Sequence, residues 1–105
     1  MKKVRTAVVT GGSTGIGFAV AKEFLSRGHN VYICSKSADV ASAVEQLSSK
    51  YGFARVGGCQ CDVRSLKSVE RMLVDVVAKF VQIDTLINNA GVAFVTSFED
   101  ITVED

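Results

Sequence analysis

The sequence predicts an α/β fold, a doubly wound parallel sheet with helices on both faces. Three observations carry that prediction. Short apolar runs alternate with amphipathic segments of helical period, in the order strand, helix, strand, helix. The run Val4–Thr10 is almost continuously apolar, which suits a strand covered on both sides. A glycine-rich turn, Thr10-Gly11-Gly12-Ser13-Thr14-Gly15-Ile16-Gly17, then joins that run to a helical segment. Right-handed crossovers between parallel strands give an expected spatial order of 3-2-1-4.

Val4–Thr10 is the first strand. Gly15–Arg27 is a helix, with Ile16, Val20 and Phe24 at helical spacing, Ala19 beside them and Gly28 as the residue just past its end. Asn30–Ser35 is the second strand. Ala38–Tyr51 is a second helix with Val40, Val44 and Leu47 on one face. Ala54–Cys61 is the third strand. Ser65–Phe80 is the third helix, capped by Ser65, with Leu66, Val69, Leu73, Val76 and Phe80 as its stripe. Asp84–Asn88 is the fourth strand. Residues 89–105 read as a loop and then a helix entry with Thr102 as N-cap.

Composition narrows the function classes. The 105 residues make one domain, and 48% hydrophobic against 22% charged residues allow a packed core. A net charge of +1 provides no electrostatic footprint for nucleic acid or an anionic membrane. Lys2, Lys3 and Arg5 read as a solvated strand entry, with no apolar segment of signal-peptide or membrane-spanning length behind them. Cys34, Cys59 and Cys61, with His29 as the one histidine, are too few ligands for a zinc site. They read as buried, reduced thiols of a cytoplasmic protein. His29 reads as an exposed residue after a helix end. Glu23, Glu45, Glu70 and Asp75 fall on helix faces opposite the apolar stripes, and Glu99, Asp100, Glu104 and Asp105 read as a solvated tail.

The glycine turn carries the chemistry. A strand delivers the chain to a helix N-terminus, where unpaired N–H groups and the positive end of the helix dipole suit a pyrophosphate. Gly11 permits the turn, Gly15 lets the backbone approach a ligand, and Gly17 lets helix and strand pack closely.

Three motifs stand in order at strand ends: T-G-G-S-T-G-I-G at 10–17, C-D-V at 61–63 and N-N-A-G at 88–91. Together they resemble the N-terminal part of a short-chain dehydrogenase/reductase, most closely the 3-oxoacyl reductase and tropinone reductase type. The resemblance covers essentially the whole chain. It implies a partial Rossmann-type dinucleotide-binding domain over residues 1–105, lacking the family's C-terminal catalytic half. It implies that Gly11, Ser13, Thr14, Gly15, Ile16 and Gly17 line the pyrophosphate and adenosine ribose. Asp62 would bond the adenine amino group and Val63 pack at the ring. Asn89, Ala90 and Gly91 would border the ribose on the nicotinamide side, while Asn88 ties the central strands together.

Cofactor choice turns on the end of the second strand. A carboxylate there binds a ribose 2′-OH and repels a 2′-phosphate. This chain reads Cys34-Ser35-Lys36-Ser37, with no carboxylate before Asp39. One cation and two hydroxyls at Ser35, Lys36 and Ser37 suit a 2′-phosphate, so NADP(H) is expected over NAD(H). The chain departs from many NADP-preferring relatives in carrying Thr14 where they have Arg or Lys.

The family's chemistry also needs a Ser and a Tyr-x-x-x-Lys pair, the lysine lowering the pKa of a tyrosine whose ordinary value is about 10. The string Tyr32 to Lys36 has that spacing but lies on a strand, where four residues span about 13 Å. On a helix they would span about 6 Å. It is rejected as catalytic, and no catalytic residue is assigned. The expected function is the NADP(H)-binding portion of an oxidoreductase that interconverts a ketone or aldehyde and an alcohol by hydride transfer, with a carbonyl or alcohol substrate only in a full-length form. The alternatives are a catalytically inactive nucleotide-binding or interaction module, or a non-functional truncated product. A fourth strand with a naked edge, and Val92, Phe94, Val95 and Phe98 without cover, would make the chain self-associate.

Overall fold

The computed structural model describes residues 4–88 and the strand at 94–97. Asn89, Ala90, Gly91, Val92, Phe98 and the expected helix entry at Thr102 lie outside the described residues. The order is β1 (Thr6–Thr10), α1 (Gly15–Ser26), β2 (Asn30–Ser35), α2 (Val40–Tyr51), β3 (Val56–Gln60), α3 (Leu66–Phe80), β4 (Thr85–Asn88) and β5 (Phe94–Ser97). The sheet runs β3-β2-β1-β4-β5. Its first four strands are parallel, in the expected 3-2-1-4 order.

Two expectations at the sheet's end are corrected. Part of the segment read as a loop after residue 88 is β5, and β5 pairs antiparallel with β4, with Ile87 opposite Val95. The edge of β4 is therefore not naked, because a chain that turns back locally satisfies the same row of backbone groups that another parallel strand would.

β1 is the centre of the sheet, and all five of its residues are buried. Successive side chains point to opposite faces, so β1 and β2 serve two cores at once. Val9, Val31, Ile33, Val56 and Ile87 pack under α1 and α2 with Ala21, Leu25, Val40, Ala43 and Leu47. Val8, Tyr32, Cys34 and Cys61 pack on the other face against Met72 and Val76 of α3. The strand begins later than expected: Val4 is exposed, and the Arg5 N–H goes to His29 Nδ1 at 3.1 Å instead of to a neighbouring strand. His29 is therefore half-buried and engaged, a tie between the start of β1 and the turn before β2.

Helix caps follow the sequence where the chemistry is local. The Ser65 hydroxyl accepts from Ser68 N–H at 3.3 Å at the start of α3. Gly28 takes a positive φ of 90° just past α1. Helix faces follow it less well. α1 buries Gly17, Ala21 and Leu25, while Val20 and Phe24 are half-buried and Ile16 is 73% exposed. The expected stripe thus lies one position out of phase. A helix pressed onto a central strand presents small residues at the contact and leaves larger ones on its flanks. In α3 the buried pair is Met72 and Val76, and Leu66 is exposed.

Candidate functional site

The site lies where the C-terminal ends of β1, β2 and β3 meet, the place where parallel α/β sheets hold ligands. Gly11 at φ +64° and Gly15 at φ +60° adopt the left-handed backbone that the glycine turn requires. A Cβ on Gly15 would meet no atom within 4 Å, so that side of the turn is open. Gly12, to which the sequence assigned no role, is tightly packed in the turn. A Cβ there would fall 2.8 Å from Ile33 Cγ2 and 3.1 Å from the Val9 carbonyl. Gly12 N–H donates to the Cys34 carbonyl at 3.2 Å, which fastens the turn to the end of β2.

Thr14, the N-cap of α1, has extended backbone and makes no side-chain capping bond. The first-turn N–H groups of α1 thus lack the usual side-chain acceptor at their head. An open approach at Gly15 and an uncapped helix start fit a phosphate group. Ser13 is half-buried, Thr14, Gly15 and Ile16 are exposed, and Gly17 is buried against the sheet.

Beside this turn is a cleft of about 370 Å³ lined by Gly11, Cys34, Ser35, Lys36, Cys61, Asp62, Val63 and Arg64. It gathers five of the residues singled out in the sequence. Ser37 is exposed on the same β2–α2 turn, which is held by the Ser37 N–H to Ser35 Oγ at 3.2 Å and by Gln60 Nε2 to the Lys36 carbonyl at 2.8 Å.

Arg64, Cys34 and Cys61 are cleft residues that the sequence did not reveal as such. Arg64 donates from N and Nε to Asp62 Oδ1 at 3.0 and 3.1 Å, and from Nη2 to Oδ2 at 3.2 Å. These bonds, with the nearby Lys36 charge, hold the Asp62 carboxyl down at about 2. The spacing of Asp62 and Arg64 in the sequence is one that an ordinary solvated arginine shares, so it carried no signal of this pairing. Burial, with Cys61 and Cys59 alongside, pushes the Cys34 thiol up to about 12, and burial raises Cys61 as well. All three cysteines are free, with Cys34 and Cys61 buried and Cys59 half-buried. Among the described residues no group of three or more His, Cys, Asp or Glu side chains is placed to hold a metal ion. Nor is any helix there long and apolar enough to cross a membrane.

Tyr32 is fully buried in the α3-side core and donates its hydroxyl to Asp75 of α3, so the Tyr32-to-Lys36 string is not a catalytic pair. Burial first, and Asp75 second, raise its pKa. Asp75, expected on a purely solvated face, thereby has a structural role. At the same C-terminal edge of the sheet, Thr10 Oγ1 donates to Asn88 Oδ1 at 2.9 Å and ties β1 to β4.

The sequence profile described as short chain dehydrogenase matches residues 5–105. The chain belongs to the short-chain dehydrogenase family. Among curated relatives it is similar to chlorophyll(ide) b reductase NOL of Oryza sativa subsp. japonica, at 48% identity over 85 residues, covering 80% of this chain and 25% of that one. Among solved structures it is similar to RhlG of Pseudomonas aeruginosa in its complex with NADP. That match has a TM-score of 0.73 and 35% identity, and covers 84% of this chain and 35% of the other. A short-chain dehydrogenase/reductase of Burkholderia phymatum in complex with NAD shares the fold, with a TM-score of 0.74 at 24% identity over 80% of this chain and 30% of that one. The chain spans about a quarter to two-fifths of the length of the curated relatives it matches. The residues described above therefore sit on this family's Rossmann-type dinucleotide-binding fold.

Proposed function

We propose that this chain is the NADP(H)-binding portion of an oxidoreductase that interconverts a ketone or aldehyde and an alcohol. The bound nicotinamide would donate or accept the hydride. The first turn of α1 would hold the pyrophosphate, with Gly15 leaving it room. Asp62 and Val63 would take the adenine, and Asn89, Ala90 and Gly91 would border the ribose on the nicotinamide side. One observation carries the cofactor preference. Ser35 and Lys36 line the cleft beside Gly11, and no carboxylate precedes Asp39 on the β2–α2 turn. A dianionic 2′-phosphate would meet a cation and two hydroxyls there.

Binding tests the reading. NADPH should bind at least about tenfold more tightly than NADH, a difference of about 1.4 kcal/mol. Lys36→Asp should abolish or reverse that preference. Equal affinities in the unaltered chain, with no change in the variant, would refute it.

Both tyrosines of the sequence are engaged in the cores, Tyr32 under α3 and Tyr51 against the α1–α2 side. The 105-residue chain on its own is therefore expected to bind dinucleotide without reducing carbonyls, which stopped-flow detection of substrate-dependent NADPH oxidation would contradict. Self-association belongs to the same proposal. It is supported by β5 standing at the end of the sheet order and by exposed Val74, Val77 and Val81 on and beside α3. A cytoplasmic location is proposed on the three free thiols.

A further inference from the structure

Asp62 is more constrained than a half-exposed carboxylate needs to be. An ionised carboxyl offers about four lone-pair positions. Arg64 takes both on Oδ1, through its backbone N–H at 3.0 Å and Nε at 3.1 Å, and one on Oδ2 through Nη2 at 3.2 Å. One acceptor position is left, on Oδ2. The planar guanidinium engages both oxygens at once, so it fixes the plane of the carboxylate as a lysine could not. Arg64 is itself part of the cleft wall, with Lys36 and Val63. Its side chain is 73% exposed, so the hold on Asp62 is not a by-product of core packing.

We propose that Arg64 is a positioning residue for base selection: it orients Asp62 so that a single carboxylate lone pair faces the incoming purine, accepting a 6-amino group and rejecting a 6-carbonyl. This rests on the adenine assignment made above. A carboxylate held ionised has no proton to give. A purine with a 6-amino group satisfies the remaining position, whereas a 6-carbonyl sets an acceptor against an acceptor and leaves both unpaired. With Arg64 removed, Asp62 is free to turn toward water and the base meets no fixed acceptor.

Calorimetric binding of adenosine 5′-diphosphate and inosine 5′-diphosphate to the chain and two variants tests this, with thermal melts to establish that each is folded. The unaltered chain should favour the adenine nucleotide by about tenfold. Arg64→Ala should reduce the ratio to within about twofold by weakening the adenine nucleotide. Asp62→Asn should lose the discrimination too, and the double variant should lose no more than Asp62→Asn alone. If Arg64→Ala keeps the full ratio while Asp62→Asn loses it, the role given to Arg64 is wrong and the adenine assignment stands. A tighter adenine complex in Arg64→Ala would make Arg64 a competitor and also overturn the inference. If neither substitution alters the ratio, or neither nucleotide binds, the adenine assignment itself falls.

Discussion

Two adjacent glycines in β3 face opposite helices, and their substitution by alanine should have unequal costs. Gly58 points to the α2 side. A Cβ there would lie 2.6 Å from the Ile33 carbonyl oxygen, 2.6 Å from Val44 Cγ2 and 3.0 Å from Ile33 Cγ1. The carbonyl belongs to β2, so it cannot move without disturbing the sheet. Overpacking of this kind costs about 1–3 kcal/mol. A gain of up to about 1 kcal/mol from the stiffer unfolded chain offsets part of it. Gly57 points to the α3 side, where the nearest atoms are Lys79 Cδ at 2.9 Å and Tyr32 Cδ2 at 3.0 Å. The lysine stem can swing outward, giving up its 3.2 Å bond to the Phe53 carbonyl, which is exposed. Gly57→Ala is thus expected within about 1 kcal/mol of the parent, and Gly58→Ala about 2 kcal/mol below it. In urea, with a slope of about 1–2 kcal/mol per molar for a chain of this size, Gly58→Ala should lower the midpoint by roughly 1–2 M. Adding Val44→Ala to Gly58→Ala should recover only part of the loss, because the carbonyl clash remains. The reasoning is refuted if Gly58→Ala matches the parent, if Gly57→Ala is the more damaging, or if Val44→Ala restores stability fully.

Val81 ends α3 at φ +74° and is 79% exposed, a left-handed conformation that a β-branched side chain resists. Val81→Gly should therefore stabilise the fold by about 1 kcal/mol, raising the urea midpoint, despite removing an apolar side chain. Burial pushes the Cys34 thiol up to about 12 in the folded chain, from an ordinary value of 9.0. Its contribution is fully present below pH 8 and is lost as pH rises toward 12, since the unfolded chain then sheds a proton that the folded one keeps. Between pH 8 and pH 10.5 the parent should lose about 1–2 kcal/mol more stability than Cys34→Ala, and equal pH slopes would contradict the assignment.

The alternation of strands and helices, the glycine turn, the Ser65 cap and the Gly28 helix end were legible because each depends on neighbours a few residues away. Hydrogen bonds within one turn and the steric demands of a left-handed φ are local. The candidate site was legible in part for the same reason. In a parallel sheet, motifs at successive strand ends come together at one edge, so Gly11, Ser35, Lys36, Asp62 and Val63 share a cleft although they span more than fifty residues of sequence.

Arg64, Tyr32 and Asp75 show where such reading stops. Nothing in the spacing of Asp62 and Arg64 distinguishes an ordinary solvated arginine from one that engages both carboxylate oxygens. Tyr32 and Asp75 are separated by 43 positions and meet only because α3 crosses beneath β2. Periodicity marks the large apolar residues of α1, but the depth of Gly17 and Ala21 depends on what lies across the interface. Likewise the pairing of β5 with β4 depends on the path of the chain after Asn88. The sequence by itself determined the parallel α/β plan, the place of the glycine turn and the family. Tertiary structure decided which helix face is buried, what covers the β4 edge and which cation commands Asp62, because those outcomes depend on groups remote in sequence that only the completed sheet brings into contact.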